Sequence, residues 1–421
     1  MNLRVFAGID GFHEFAAIVG LSTREKGEYL RTLQASFMPF RVTAHYAQLI
    51  AQQSEPYRTQ MLNIILPPPG KKPFVGRFDP YGNRTFRQGQ EPFIQHKYEK
   101  TLLLHIDDYC VANCQFCYKV NEIRLERTAP AQSYDSKIQA AQRYLQQHPE
   151  IDNVLFTGGD PAAFRRTADL IRLIQGLLDM PSIRTVRFAT KGLAYDPERF
   201  SDEELVAFLR QTNATPGKQV QIIAQINHPA ELDTCAQQAI RGLQAAGIQI
   251  KGQPAVVKGV NDSVETLTHL QRAFLDNQIV SYYLTIFMPV RGVEQYALLL
   301  DEAFRNVAES KRHLSGLEKK GVVLASHDFG KFEIVGFYPT AEQPEKIILK
   351  WHQAAMPQYL PDSLKAQIPH RPEDVLILDY VPGRLYAIDH VFAFNGLPYY
   401  DAEGQLVEPA PAAARMLAAT C

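Results

Sequence analysis

From about residue 100 the chain alternates between two periodicities. Short apolar runs recur at 101–106, 153–157, 185–189, 220–226, 249–257 and 281–287. Between them, apolar residues return every three to four positions, most clearly at 136–147, 201–211, 232–246 and 264–277. Short apolar runs read as buried strands, and 3.6-residue spacing reads as helices with one buried face. Ser201-Asp-Glu-Glu204 reads as a capping box opening one of those helices. Six strands alternating with helices predict a parallel α/β architecture, because parallel neighbours need a long crossover.

The flanks read differently. Residues 1–95 look mainly helical, with Ser22-Thr-Arg-Glu25 as a capping box for a helix ending near 37. The proline-rich stretch 67–73 is a loop, and 79–84 is a turn. After a helical stretch at 298–320, residues 321–337 read as strand, Gly-Lys turn, strand. Short strands at 346–350 and 375–378, many prolines and an alanine-rich end follow. The expected division is a helical N-terminal region (1–95), a barrel (96–325) and a small C-terminal α+β region (326–421).

Composition narrows the function classes. The chain has 421 residues, 46% hydrophobic, which is ample for a large core. A formal net charge of −1 gives no reason to expect a nucleic-acid or anionic-membrane partner. Asp10, His13 and Glu14 interrupt the first apolar stretch, which argues against a secretory signal. No apolar run reaches membrane-spanning length. A cytoplasmic, reducing setting is expected.

Three of the five cysteines, Cys110, Cys114 and Cys117, form a C-x3-C-x2-C set just after the first strand. Three thiolates from one loop hold three irons of a [4Fe–4S] cluster and leave the fourth open to a chelating molecule. Structural zinc wants four ligands, so it would need His105 or His96 as well. Cys235 and Cys421 stand alone, and an odd cysteine count argues against a disulfide framework. Phe116, just before the third cysteine, is either core or the wall of an adenine pocket.

Together with V-L-F-T-G-G-D-P (154–161), I-N-H-P-A-E-L (226–232), G-Q-P-A-V-V-K-G-V-N-D (252–262) and Y-Y-L (282–284), the cysteines make the chain resemble the lysine 2,3-aminomutase family of radical S-adenosylmethionine (SAM) enzymes, from about residue 38 to 350. The resemblance implies a partial (β/α)6 barrel holding the cluster, SAM and pyridoxal phosphate (PLP). It places Gly158, Gly159 and Asp160 at the methionyl amino group of SAM, and Phe116, His228 and Gln253 around SAM. Glycines suit such a place because they let backbone approach a ligand closely.

Lys331 falls where the family has the lysine that holds PLP as a Schiff base, although the turn is one residue shorter and has lost most of its glycines. Lys97 and Tyr98 match a cofactor-binding His-Arg-Tyr run, while a phosphate-binding arginine is replaced by Thr101. Lys119 matches an arginine for the substrate carboxylate. Met288 and Leu324 stand where two aspartates would hold the distal ammonium of lysine, and Asp328 is a displaced carboxylate candidate. Burying an ammonium without a carboxylate is costly, so free lysine is not the expected substrate.

These expectations define a radical SAM enzyme performing a PLP-dependent 1,2-amino shift on a small amino-acid-like substrate, fed by an electron donor such as flavodoxin or ferredoxin. The alternatives are a PLP-free radical SAM enzyme with another hydrogen abstraction, an aminomutase for another or a carrier-bound amino acid, and a non-catalytic iron–sulfur or zinc scaffold. A homo-oligomeric state is left open.

Overall fold

The computed structural model describes residues 3–70, 72–79, 82, 86–89, 91–123, 133–162, 166–340, 345–365 and 375–409. Most of the expected turn at 79–84, the alanine-rich end and Cys421 lie outside the described residues.

Two short strands, β1 (Val5–Ala7) and β2 (Arg41–Thr43), pair antiparallel among the N-terminal helices. Those helices are Gly8–Ile18, Thr23–Gln34, Ala44–Ala51 and Tyr57–Ile65. The capping box is present: the Ser22 side chain accepts from Glu25 N, and Glu25 reaches back to Ser22 N at 2.8 Å. The strands β3 (Arg87–Gln88) and β4 (Glu91–Tyr98) then lead antiparallel into β5 (Thr101–Asp107).

Parallel strands follow as expected: β6 (Asn153–Gly158), β7 (Thr185–Thr190), β8 (Gln219–Ala224) and β9 (Gln249–Gly252), each paired to the one before. The run 249–257 is broken, because β10 (Ala255–Val256) leaves β9 after Gln253-Pro254. Gln253 N still donates to Ala224 O at 2.9 Å, whereas β10 pairs with β12 (Tyr283–Ile286). Proline has no N–H to donate and suits the point where a strand changes partner. The run 281–287 splits likewise into β11 (Val280–Ser281), beside β9, and β12, with Tyr282 at the break. The result is two sheets, one of β3–β9 with β11 and a second that starts with β10 and β12, with the split strands passing from one to the other; the second is extended by the parallel strand β13 (Val322–His327).

Beyond it, β14 (Gly330–Tyr338), β15 (Glu345–Ala354) and β16 (Val375–Tyr380) add on antiparallel to the same sheet. The expected boundaries at 95/96 and 325/326 therefore fall inside β4 and β13. The hairpin turn is Asp328-Phe329, and Gly330-Lys331 already belong to β14, with Lys331 opposite Ser326. Helix Glu203–Ala214 is capped by Asp202, which accepts from Leu205 N at 2.9 Å, rather than by Ser201. The helical stretch at 298–320 is realised as Leu300–Arg312.

Val154, Phe156, Val186, Phe188, Val220, Ile222 and Ile250 pack with the crossover helices in one apolar core. Side chains alternate along a strand, so Leu155, Arg187, Gln221 and Lys251 face the concave side. No helix among the described residues is long and apolar enough to cross a membrane.

The C-terminal region is fixed by buried charge. Arg77 pairs with Asp328 at 2.7 Å and Asp389 at 2.9 Å, and its guanidinium lies 4.6 Å from the centre of the Tyr400 ring. Asp389 also takes His327 Nε2 at 2.8 Å and Tyr400 N at 2.8 Å. Burial works against that carboxylate, but His327 and Arg77 hold it well below the usual range. Arg77→Met should cost about 3–5 kcal/mol, because it strands two buried carboxylates. Chemical denaturation checks this, and a loss under about 1 kcal/mol would mean that the network is solvated.

Candidate functional site

Cys110, Cys114 and Cys117 come together in the loop that leaves the C-terminal end of β5. The loop rests on the end of β6. Gly159 N donates to Asp107 O at 2.6 Å and Asp160 N to Tyr109 O at 3.1 Å. A Cβ on Gly159 would overlap Tyr109 backbone, and one on Gly158, at φ +111°, would overlap Asp107 O. The first demand on the two glycines is therefore the chain's own approach to itself. Their segment's N–H groups are spent at Gly159 and Asp160. The Asp160 carboxylate is spent too, accepting from Thr190 Oγ1 at 2.7 Å and Lys191 N at 2.9 Å.

The N-terminal helices grip the loop from the other side. Asn113 N donates to Arg41 O at 2.9 Å and Gln115 N to Ile64 O at 2.7 Å. Arg41 donates to Cys110 O at 3.3 Å, with its guanidinium 3.8 Å from the centre of the Tyr109 ring. Phe116 is buried and meets Tyr296 edge-on at 5.8 Å, so it serves the core.

Burial raises all three thiols, Cys117 to about 12, and neighbouring thiols add to the rise at Cys110 and Cys117. Three such groups ionise together only around a cation, and this donor set fits a cluster. Cys235 is exposed at the start of helix Thr234–Ala245 and belongs to no such group of thiols.

Behind Cys114 lies a set of residues that sequence reading missed. Tyr195 Oη is 3.0 Å from Cys114 Sγ, and against a metal-bound thiolate the phenol is the donor. The Tyr195 ring meets Tyr46 edge-on at 4.7 Å. Tyr46 Oη donates to Glu231 Oε1 at 2.7 Å, and Glu231 pairs with Lys191 at 2.5 Å. Glu231 is the acid of the N-H-P-A-E stretch, which drew attention through its histidine. His228 is fully buried. Its Nδ1 caps Ala230 N and its Nε2 meets Gln60 Oε1 at 2.9 Å. Burial drives it down to about 3. Both of its ring nitrogens are engaged within the chain, where it shapes the turn. Gln253 is half-buried at the break between β9 and β10.

Lys331 lies across the sheet on β14. Its Nζ is 5.2 Å from the Tyr98 ring centre, 5.3 Å from the Tyr283 ring centre and 3.3 Å from Gln353 Oε1. Burial, then Arg187 and Lys97, lower it to about 7. A carbonyl-binding lysine needs such a neutral amine, so Lys331 fits PLP. Lys97 donates to His327 O at 2.5 Å across the seam between β4 and β13. It is lowered by burial to about 8.

Lys119 is buried, donates to Thr157 Oγ1 at 2.9 Å and lies 3.3 Å from His105 Nδ1. Burial lowers it to about 8. Met288 and Leu324 are buried and apolar, as expected. Asp328 is not a displaced ligand for an ammonium, because Arg77 occupies it.

No family model matches the chain. It is 29% identical over 322 residues to a putative L-lysine 2,3-aminomutase of Aquifex aeolicus, covering 76% of this chain and 82% of that protein. It is 25% identical to the L-lysine 2,3-aminomutase of Clostridium subterminale, covering 76% of this chain and 74% of that one. Among solved structures it aligns with a radical SAM methyltransferase from Sphaerobacter thermophilus at 14% identity, covering 55% of this chain and 67% of that one, with a TM-score of 0.34.

Two outcomes follow from this geometry. Alanine at Cys110, Cys114 or Cys117 should abolish iron retention after anaerobic reconstitution, and Cys235→Ser should leave it unchanged. Full iron in Cys114→Ala would refute the cluster site. Separately, the Lys331 amine is charged below about pH 7 and neutral above it. Its reductive alkylation, followed by peptide mapping, should accelerate through that pH rather than near the ordinary 10.5.

Proposed function

We infer that this chain, a divergent member of the lysine 2,3-aminomutase family of radical SAM enzymes, moves an amino group between adjacent carbons of an amino acid other than free lysine, with Lys331 holding PLP. The observation that carries the reading is the Lys331 amine, desolvated and framed by two tyrosine rings on the wall of a barrel whose mouth holds three cysteines.

When bound, the cluster and SAM supply a hydrogen-abstracting radical, and PLP carries the migrating nitrogen. The chain's own residues orient and shield. Cys110, Cys114 and Cys117 hold the metal, and the carbonyl strip of 158–160, with Gln253, borders the SAM site. Tyr98 and Tyr283 flank the Lys331 amine and keep water from it. Lys119 supplies a cation for a substrate carboxylate from the Thr157 side of the barrel.

Met288 and Leu324 present an apolar surface to the far end of the substrate. With Asp328 held by Arg77, that end has no free carboxylate from these positions. An uncharged substrate tail fits, whereas a lysine ammonium would be desolvated without a partner.

The PLP-free reading keeps one observation in its favour. Thr101 stands where an arginine is expected, and Lys97 is spent on a backbone carbonyl.

Anaerobic, reconstituted protein treated with PLP and borohydride should carry the reduced pyridoxyl group on Lys331 by peptide mapping. β-Lysine formation from L-lysine should stay at background while SAM is cleaved. Absence of the label would move the assignment to the PLP-free enzyme, and rapid β-lysine formation would overturn the substrate argument.

A further inference from the structure

The concave wall beside Lys331 carries more positive charge than the chain itself neutralises. Tyr282 sits at the break between β11 and β12, where side-chain alternation is interrupted, and its ring stacks on that of Tyr283 at 3.7 Å. Lys251 Nζ is 5.1 Å from the Tyr282 ring centre and Lys331 Nζ is 5.3 Å from that of Tyr283. The tyrosine pair therefore brings lysines from β9 and β14 to one place.

Arg187, on the concave face of β7, bears electrostatically on both lysines and on both tyrosines. It donates through Nη2 to Asn153 Oδ1 at 2.5 Å, and its buried Nε has no hydrogen-bond partner. Among the described residues, none of these three cations makes an ion pair with a carboxylate. Asp152 bears on Arg187, but its Oδ1 accepts from Asn153 Nδ2 at 2.9 Å.

Partly buried cations without counter-charges are costly unless an anion joins them. A guanidinium with a free Nε–H and a nearby ammonium match a phosphate, one by its planar fork and the other as a point charge.

We propose that Arg187 and Lys251 form a cradle for a phosphate monoester beside the Lys331 amine, and that its occupant is the phosphate of the PLP that Lys331 holds. This rests on the functional reading above. Lys331 then anchors the aldehyde end of the cofactor and β7 and β9 anchor the other. The same chemistry would serve a substrate phosphate, so the test separates the two sources.

Reconstituted full-length protein is titrated with PLP and with pyridoxal, which lacks the phosphate, and binding is followed by absorbance. The wild type should prefer PLP. Arg187→Met and Lys251→Met should each weaken PLP binding by about 10- to 100-fold, as expected for a charge-assisted contact. Both should leave iron content unchanged, and Lys251→Met, which does not bear on the Lys331 amine as Arg187 does, should leave pyridoxal affinity unchanged. The Lys251 side chain makes no hydrogen bond among the described residues, so that variant remains informative if the arginine variant folds poorly.

Equal affinity for PLP and pyridoxal with Lys331 still labelled would overturn the cradle while sparing the functional reading. A PLP preference that survives both substitutions would overturn it too. If Lys331 takes no label, phenyl phosphate binding that is lost in Arg187→Met would keep the cradle for a substrate phosphate. No such binding would remove it.

Discussion

The structure turns on one backbone contact. The chain leaving β5 must lie directly on the end of β6, and only residues without a side chain permit it at 158 and 159. That contact fixes where the cysteine loop starts. Hydrogen bonds from Asn113 and Gln115 to the N-terminal layer fix where it goes next. The helices of residues 8–65 are therefore part of the cysteine site. They act as the back wall of a loop that has no regular structure of its own, and loops hold chemistry best when rigid elements position them.

Charge is distributed by the same logic. Near the C-terminal region, acids and bases cancel: Arg77 takes Asp328 and Asp389, and His327 completes the set. Behind the cysteines, Lys191 cancels Glu231. Around Lys331, among the described residues, there is no such cancellation, and the amine gives up its proton near pH 7 because burial and neighbouring cations both oppose it. The fold thus spends its ion pairs on holding segments together and leaves an electropositive, partly desolvated wall where a carbonyl-binding amine is useful.

What the sequence made legible was local. Six strand runs and three closely spaced cysteines are patterns within a few residues, and four of the six runs form single strands while two are split. The misread side-chain partners are long-range. Asp328 looked available because its partner, Arg77, lies 251 positions away. His228 looked like a pocket residue because Gln60, 168 positions earlier, does not announce that it will meet the ring. Tyr195 and Tyr46 carry no motif. The Gly-Lys pair looked like a turn, but the hairpin closes two residues earlier at Asp328-Phe329, so Lys331 enters a strand. A residue in a strand has its direction set by alternation, and this is what turns the amine toward Tyr98 and Tyr283.

That two-residue displacement bears on the chemistry. A lysine at a surface turn would be solvated and keep its ordinary basicity. In β14, opposite Ser326, its stem is fixed by ladder hydrogen bonds on both sides, and the amine is carried under the tyrosines. The tight turn and the depressed basicity of Lys331 are then one feature. A two-residue turn keeps the lysine in the sheet, and the sheet supplies the desolvation that a neutral amine requires.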